Sequence, residues 1–165
     1  MSTNPWEDIP EASYAGIQTF MRVDQATPDT GESSDIGIVG VPFDGAVSRL
    51  PGARFGPSGI RKTSGVYAYY TGTKGDGLTN IDTDRPVDYT DIDIRDYSDV
   101  PIVPNDITRT REQIQHYVEA VADTTFPIIL GGDHYVTYPS FVGVARSLDE
   151  EIGLLHLDAH SDTST

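Results

Sequence analysis

The stretch "FPIILGGDH" (residues 126–134) places a short apolar run directly before two glycines and two polar side chains. A bounded apolar run of this length, rich in β-branched residues, predicts a buried strand over residues 126–130. The glycines allow a tight turn, because glycine adopts backbone angles that other residues avoid. The stretch therefore predicts a strand that delivers Asp133 and His134 to its carboxyl end.

Further strands and helices are predicted on both sides of this run. The segments "DIGIVGV" (residues 35–41), "PVDYTDIDI" (86–94) and "EIGLLHLD" (151–158) have the apolar or alternating patterns of strands. The long Gly/Pro-rich segments between them, residues 42–59 and 70–84, predict loops. Strands separated by helices predict an α/β fold with a parallel sheet and helices on both faces.

Three helices are predicted between these strands. Pro57 suits the first turn of a helix that carries Arg61 and Tyr67. A second helix is expected from about Asp106 to Ala122, and "YPSFVGVARSL" (138–148) gives a third. The stripe that is expected to face the core in the second helix consists of Ile107, Ile114, Val118 and Val121.

The chain has the length and composition of one folded domain. Residues 1–33 mix Pro, Ser, Thr, Asp and Glu, and predict an irregular N-terminal arm that packs on a neighbour. Residues 34–165 are expected to form a single α/β domain. With 165 residues, 37% of them hydrophobic, the chain can bury a core.

Composition restricts the possible partners. The formal net charge of −15 disfavours nucleic acid and anionic membranes, and favours a small cationic substrate. No run approaches the roughly 18 apolar residues of a membrane span, and the polar N-terminus does not resemble a signal peptide, so we expect a soluble cytoplasmic protein. Many Asp and few Lys residues are typical of a halophilic protein, in which salt screens the excess charge. With no cysteine, any metal ion must be bound by oxygen and imidazole ligands.

The C-terminal stretch "LLHLDAHSDTST" (residues 154–165) predicts a metal site. Asp158, His160 and Asp162 occupy alternate positions, which point the same way in an extended chain. His134 follows another predicted strand and should reach the same volume, because ligands gather at the carboxyl ends of parallel strands. Imidazole and carboxylate ligands suit manganese, iron or zinc.

The motifs at these positions resemble a known enzyme family. "LGGDH" (130–134) and "HLDAHSDT" (156–163) resemble the first two signature motifs of the ureohydrolases, the family of arginase and agmatinase. "GVPFD" (40–44) and "GARFGPSGIRKTS" (52–64) resemble the agmatinase branch. The resemblance implies a three-layer α/β/α fold, a trimeric or hexameric homo-oligomer, and hydrolysis of a guanidino compound to urea and an amine by two hydroxide-bridged Mn²⁺ ions.

The resemblance also implies a role for individual residues. His134, Asp158 and Asp162 would bind one Mn²⁺, and His160 the other, with Asp158 bridging the two. Residues expected to support the turn or the orientation of the ligands are Gly131, Gly132 and Asp133. His156 is assigned a structural role. A loop at the substrate entrance would include Arg49, Arg54 and Phe55.

The chain departs from the family by lacking the later segment that supplies two further aspartates. We therefore expect the N-terminal half of an arginase-like domain, which holds at most one Mn²⁺ well and turns over weakly or not at all. Agmatine is the substrate that the resemblance favours, which would place the enzyme in polyamine metabolism. The alternatives are a non-catalytic remnant or assembly subunit of the same fold and, less favoured, a metallophosphoesterase, for which the order of the motifs is reversed.

Overall fold

The computed structural model describes residues 12, 14–31, 33–68, 78–87, 91–148 and 150–162. Its strands are β1 (Ile36–Gly40), β2 (Leu78–Asn80), β3 (Arg85–Val87), β4 (Ile94–Asp99) and β5 (Phe126–Leu130). Its helices are α1 (Gly56–Ser64), α2 (Ile107–Ala122) and α3 (Thr137–Leu148). Short 3-10 turns lie at Phe20–Arg22, Pro28–Thr30, Ala53–Phe55 and His134–Val136.

The main sheet has three parallel strands in the order β4-β1-β5. Ile36 at the start of β1 lies opposite Ile94 of β4 and Phe126 of β5, so all three strands end on the same side of the sheet. β1 is the central strand and is buried from its second residue onward, as expected for an apolar run between two neighbours. The predicted parallel sheet is confirmed, and β2 and β3 form a separate antiparallel hairpin.

Helices α2 and α3 pack against each other beside the sheet. α2 begins where the Asp106 carboxylate accepts a hydrogen bond from the Arg109 backbone N–H at 2.9 Å, which makes Asp106 its N-cap. Its residues Ile114, Val118 and Val121 are fully buried, whereas Ile107 is half-exposed, so the prediction of a core position was wrong for Ile107. In the described residues, no helix is long and apolar enough to cross a membrane.

Residues 14–31 lie against the same domain. The Phe20 backbone N–H donates to the Asp96 carboxylate at 2.7 Å, and Met21 N–H donates to the Ser64 hydroxyl at 2.8 Å. Ala26 is buried in the main core, and its N–H donates to the Asp96 carbonyl at 2.9 Å. A backbone bridge from Gln25 extends the sheet beyond β4. The division of the chain at residue 33 stays a prediction.

Several predicted strands differ from the structure. The strand predicted over residues 86–94 is replaced by β3 and by β4, which begins at Ile94, and residues 88–90 lie outside the described residues. The loop predicted over residues 70–84 contains β2, with residues 70–77 also outside the described part. The strand predicted over residues 151–158 was wrong, because its alternating pattern finds no pairing strand in the described residues. Its leucines, Leu154, Leu155 and Leu157, are exposed.

Candidate metal centre

The turn that leaves β5, residues 131–134, is held in place by the carboxylate and backbone of Asp133. Asp133 is buried, and its two carboxylate oxygens accept hydrogen bonds from Tyr135 N–H at 3.1 Å and Ala46 N–H at 2.8 Å. Its own N–H donates to the Phe43 carbonyl at 2.8 Å. These bonds join the exit turn of β5 to the loop that follows β1, and they fix the backbone from which His134 projects.

The glycines of this turn allow a close approach of two chain segments. A Cβ atom at Gly132 would lie 1.8 Å from the Phe43 carbonyl oxygen, a separation that atoms cannot adopt. At Gly131 a Cβ would lie 3.2 Å from a Val136 methyl group, which is tight. A glycine at position 132 is therefore needed for the contact with residue 43.

A histidine–aspartate cluster lies beside this turn. His134 Nε2 is 2.7 Å from Asp162 Oδ2, and the rings of His134 and His156 stack at a centroid distance of 5.1 Å and an interplanar angle of 4°. Potential ligand atoms of His134, His156 and Asp162 all lie within 4.8 Å of one another. The other His134 nitrogen, Nδ1, is 3.2 Å from the Thr137 hydroxyl, which can hold the ring in place.

The donor atoms of this cluster fit a divalent metal ion. The His156 Nε2 atom is buried and has no hydrogen-bond partner among the described residues, and the Asp158 Oδ2 atom is 3.6 Å away from it. A buried nitrogen without a partner is costly in an apo protein, and a bound cation would satisfy it. Two imidazoles and a carboxylate are ligands that zinc, manganese and iron accept.

Asp158 and His160 form a turn next to the cluster. The Asp158 Oδ1 atom accepts a hydrogen bond from the His160 backbone N–H at 2.9 Å and lies 3.3 Å from the His160 ring nitrogen Nδ1. The pKa of Asp158 is lowered, chiefly by that backbone hydrogen bond. Desolvation opposes the lowering, and the nearby rings of His156 and His134 add to it. His160 is largely exposed.

The structure thus brings together two of the four predicted ligands, His134 and Asp162. It places Asp158 and His160 beside them, and it adds His156, to which sequence reasoning assigned a structural role. The signal for His156 was present, because strict alternation in "HLDAHSD" puts this histidine on the same side as Asp158.

The loop after β1 (residues 42–55) carries the predicted entrance residues. Asp44 is buried, and its carboxylate accepts hydrogen bonds from Gly52 N–H at 2.6 Å and from the Arg54 side-chain Nε at 2.6 Å. The Arg54 guanidinium lowers the pKa of Asp44 from 3.8 to about 2, with further lowering by the backbone N–H groups of Gly52 and Arg54. Arg54 is half-exposed and lines a cavity of about 450 Å³, whereas Arg49 and Phe55 are exposed on the same loop.

A parallel sheet with packed helices and a His/Asp cluster at the carboxyl end of a strand defines an α/β protein with a candidate metal centre. Residues 34–165 match the Arginase family model, and the chain belongs to that family. It is 33% identical over 152 residues to guanidinopropionase of Pseudomonas aeruginosa, covering 92% of this chain and 43% of that protein. It is 36% identical over 153 residues to mitochondrial agmatinase of Gallus gallus, covering 93% of this chain and 42% of that protein.

Solved structures show the same fold. A hypothetical agmatinase from Burkholderia thailandensis superposes with a TM-score of 0.76 at 29% identity, covering 93% of this chain and 46% of that chain. Arginase from Medicago truncatula superposes with a TM-score of 0.60 at 27% identity, covering 81% and 42%. The predicted arginase-like fold and family resemblance are confirmed, and the chain spans less than half the length of these relatives.

Proposed function

We propose that this chain is the N-terminal part of a manganese-dependent ureohydrolase that splits a guanidino compound into urea and an amine. The family membership supports the reaction class, and the names of the relatives support the substrate class, since they include guanidinopropionase, agmatinase and a human guanidino acid hydrolase. Agmatine is the substrate that we favour, because the strongly negative chain should attract a dication and because three further relatives are agmatinases.

The observation that carries the proposal is the convergence of His134, His156 and Asp162 within 4.8 Å beside the exit turn of β5. These residues would hold Mn²⁺, with Asp158 and His160 adjacent. A divalent ion in such a site supplies a Lewis acid and a water molecule of lowered pKa, which hydrolysis at neutral pH needs. Asp133 orients the ligand His134, because its carboxylate hydrogen bonds fix the turn from which His134 projects.

The test measures Mn²⁺ binding and urea release on the 165-residue chain. We expect one Mn²⁺ equivalent and weak urea release from agmatine, with 3-guanidinopropionate and 4-guanidinobutyrate as alternative substrates. His134→Asn and Asp162→Asn should abolish both. His116→Asn is the matched control, because His116 is an exposed histidine on α2, and it should change neither.

A second candidate function is a non-catalytic assembly subunit of the same fold. Mn²⁺ binding without urea release from any of the three substrates would support the assembly subunit. A chain that binds no Mn²⁺ would contradict the metal site that the hydrolase proposal needs. Assembly into a trimer or hexamer stays a prediction, which sedimentation velocity tests.

A further inference from the structure

We infer that Asp44 is a positioning residue for His134: its buried pairing with Arg54 holds the loop after β1 against the turn that carries the histidine. The inference rests on the proposed metal site. It concerns a residue that does not contact the cluster itself and acts through the intervening backbone.

Asp44 closes the loop after β1. Its carboxylate accepts hydrogen bonds from the backbone N–H groups of Gly52 at 2.6 Å and Arg54 at 3.2 Å, as well as from the Arg54 side chain. Gly52 has a φ of 147°, which side-chain-bearing residues rarely adopt, so the loop folds back on Asp44 at a glycine. The fully buried Asp44 side chain therefore connects Gly52 and Arg54, which lie eight and ten positions further along the chain.

The closed loop is hydrogen-bonded to the exit turn of β5. The residues on either side of Asp44 contact the turn, because the Phe43 carbonyl accepts from Asp133 N–H and Ala46 N–H donates to the Asp133 carboxylate, both at 2.8 Å. The Phe43 and Tyr135 rings also lie 5.6 Å apart. The loop therefore contacts the residue before His134 and the residue after it.

Residue 43 and the exit turn of β5 are closely packed against each other. The space at Gly132 that a Cβ would occupy is filled by the Phe43 carbonyl, so residue 43 cannot move toward the turn without displacing it, and a movement away stretches the hydrogen bond from Asp133 N–H. Close-packed interiors transmit such displacements rather than absorb them. Loss of the Asp44–Arg54 pair should therefore misplace the His134 ring relative to Asp162 and His156, and metal affinity is sensitive to the residues that orient its ligands.

The test compares Mn²⁺ affinities, measured from the electron paramagnetic resonance signal of free Mn²⁺. Asp44→Asn and Arg54→Gln should each weaken Mn²⁺ binding about 10-fold, the lower end of the range for residues that orient ligands. The double variant should be no worse than either single variant, because both remove the same contact. Asp96→Asn is the matched control, since Asp96 is also buried and paired with an arginine, Arg61, and it should lower stability without changing Mn²⁺ affinity.

A second measurement separates this inference from the proposed function. In metal-free protein, the imidazole ¹⁵N resonances of His134 should shift in Asp44→Asn and in Arg54→Gln, while those of His116 stay in place. Wild type that binds no Mn²⁺ would end the proposed metal function, and the resonances would still decide whether Asp44 positions His134. Unchanged His134 resonances or unchanged Mn²⁺ affinity in folded Arg54→Gln would overturn the inference. Arg54→Gln alters a half-exposed side chain and keeps the test valid if Asp44→Asn does not fold.

Discussion

Two buried carboxylates, Asp44 and Asp96, are each paired with an arginine. Asp96 accepts hydrogen bonds from Arg61 Nε at 2.8 Å and Nη2 at 2.9 Å, and Asp44 is bonded to Arg54 through two guanidinium nitrogens as well. Removing one member of a buried pair leaves an uncompensated charge, which destabilises a protein strongly. The acidic surplus of the sequence therefore includes individual residues with fixed structural partners.

The stability that Asp44 contributes should depend on pH. Its folded pKa of about 2 lies below the ordinary value of 3.8, so folding favours the ionised carboxylate. The contribution is fully present above pH 3.8 and is lost as the pH falls through 2. Urea denaturation of wild type and Asp44→Asn from neutral pH downward should show a wild-type advantage that shrinks across this window. A difference that is independent of pH would contradict the assignment.

A methyl group at Gly132 should damage the fold, whereas one at Gly59 should not. The Gly132→Ala substitution places Cβ 1.8 Å from the Phe43 carbonyl, and relieving such a contact costs about 1–3 kcal/mol of unfolding free energy. Gly59 lies within α1, and no other part of the described chain comes within 4 Å of the place where its methyl group would be, so Gly59→Ala should stabilise by about 0.5–1 kcal/mol. Urea titrations of both variants measure the two values, and equal effects would refute the close contact.

At the scale of secondary structure, the sequence pattern predicted an element correctly where residues close together in sequence determine that element. The strands around Ile38 and Ile128 and the helix from Ile107 to Ala122 follow from apolar runs and helical periodicity. The exit turn with Asp133 and His134 also lies where the glycines indicated. The hydrogen bonds from Asp133 to the loop after β1 could not be predicted, because they join residues that are far apart in sequence.

The elements that were predicted wrongly depend on partners that are far away in sequence. β4 reads "IRDYSD", a polar segment, and its Asp96 is buried because Arg61, 35 positions away, pairs with it. The segment 151–158 alternates as a strand should, but pairing also requires a neighbouring strand. The residue types of the candidate site were predicted. His156 lies on the same side as Asp158 in strict alternation but was assigned a structural role, and the structure stacks its ring on that of His134.

Helix α2 offers a test of which face supports the core. Ile114 is fully buried, whereas Ile107 in the same predicted stripe is half-exposed. Ile114→Ala should cost about 2–5 kcal/mol of unfolding free energy because it leaves a cavity in the main core, and Ile107→Ala should cost much less. Urea denaturation of the two variants checks this order. Equal losses would mean that the first turn of α2 is as buried as its centre.

At the scale of the whole molecule, the net charge of −15 should make stability depend on salt. Raising KCl from about 0.1 to about 1 M shortens the Debye length from about 10 to about 3 Å and screens the mutual repulsion of the carboxylates. We expect the thermal midpoint to rise over this range at neutral pH, because the carboxylates then repel one another less. At about pH 4, where ordinary carboxylates take up protons, the rise should be smaller. A midpoint unaffected by KCl at neutral pH would contradict this electrostatic account.

The two edges of the main sheet differ in whether another segment of the chain pairs with them. The outer edge of β4 is covered by residues 24–26, whereas β5 forms the opposite edge in the part of the chain that the structure describes, with Phe126 and Ile128 exposed on it. Open strand edges recruit strands from other molecules, and Pro127 blocks only one of the available donors. Concentrated solutions of the chain should therefore become turbid through intermolecular ladders, and a short extended peptide designed to cap β5 should keep them clear.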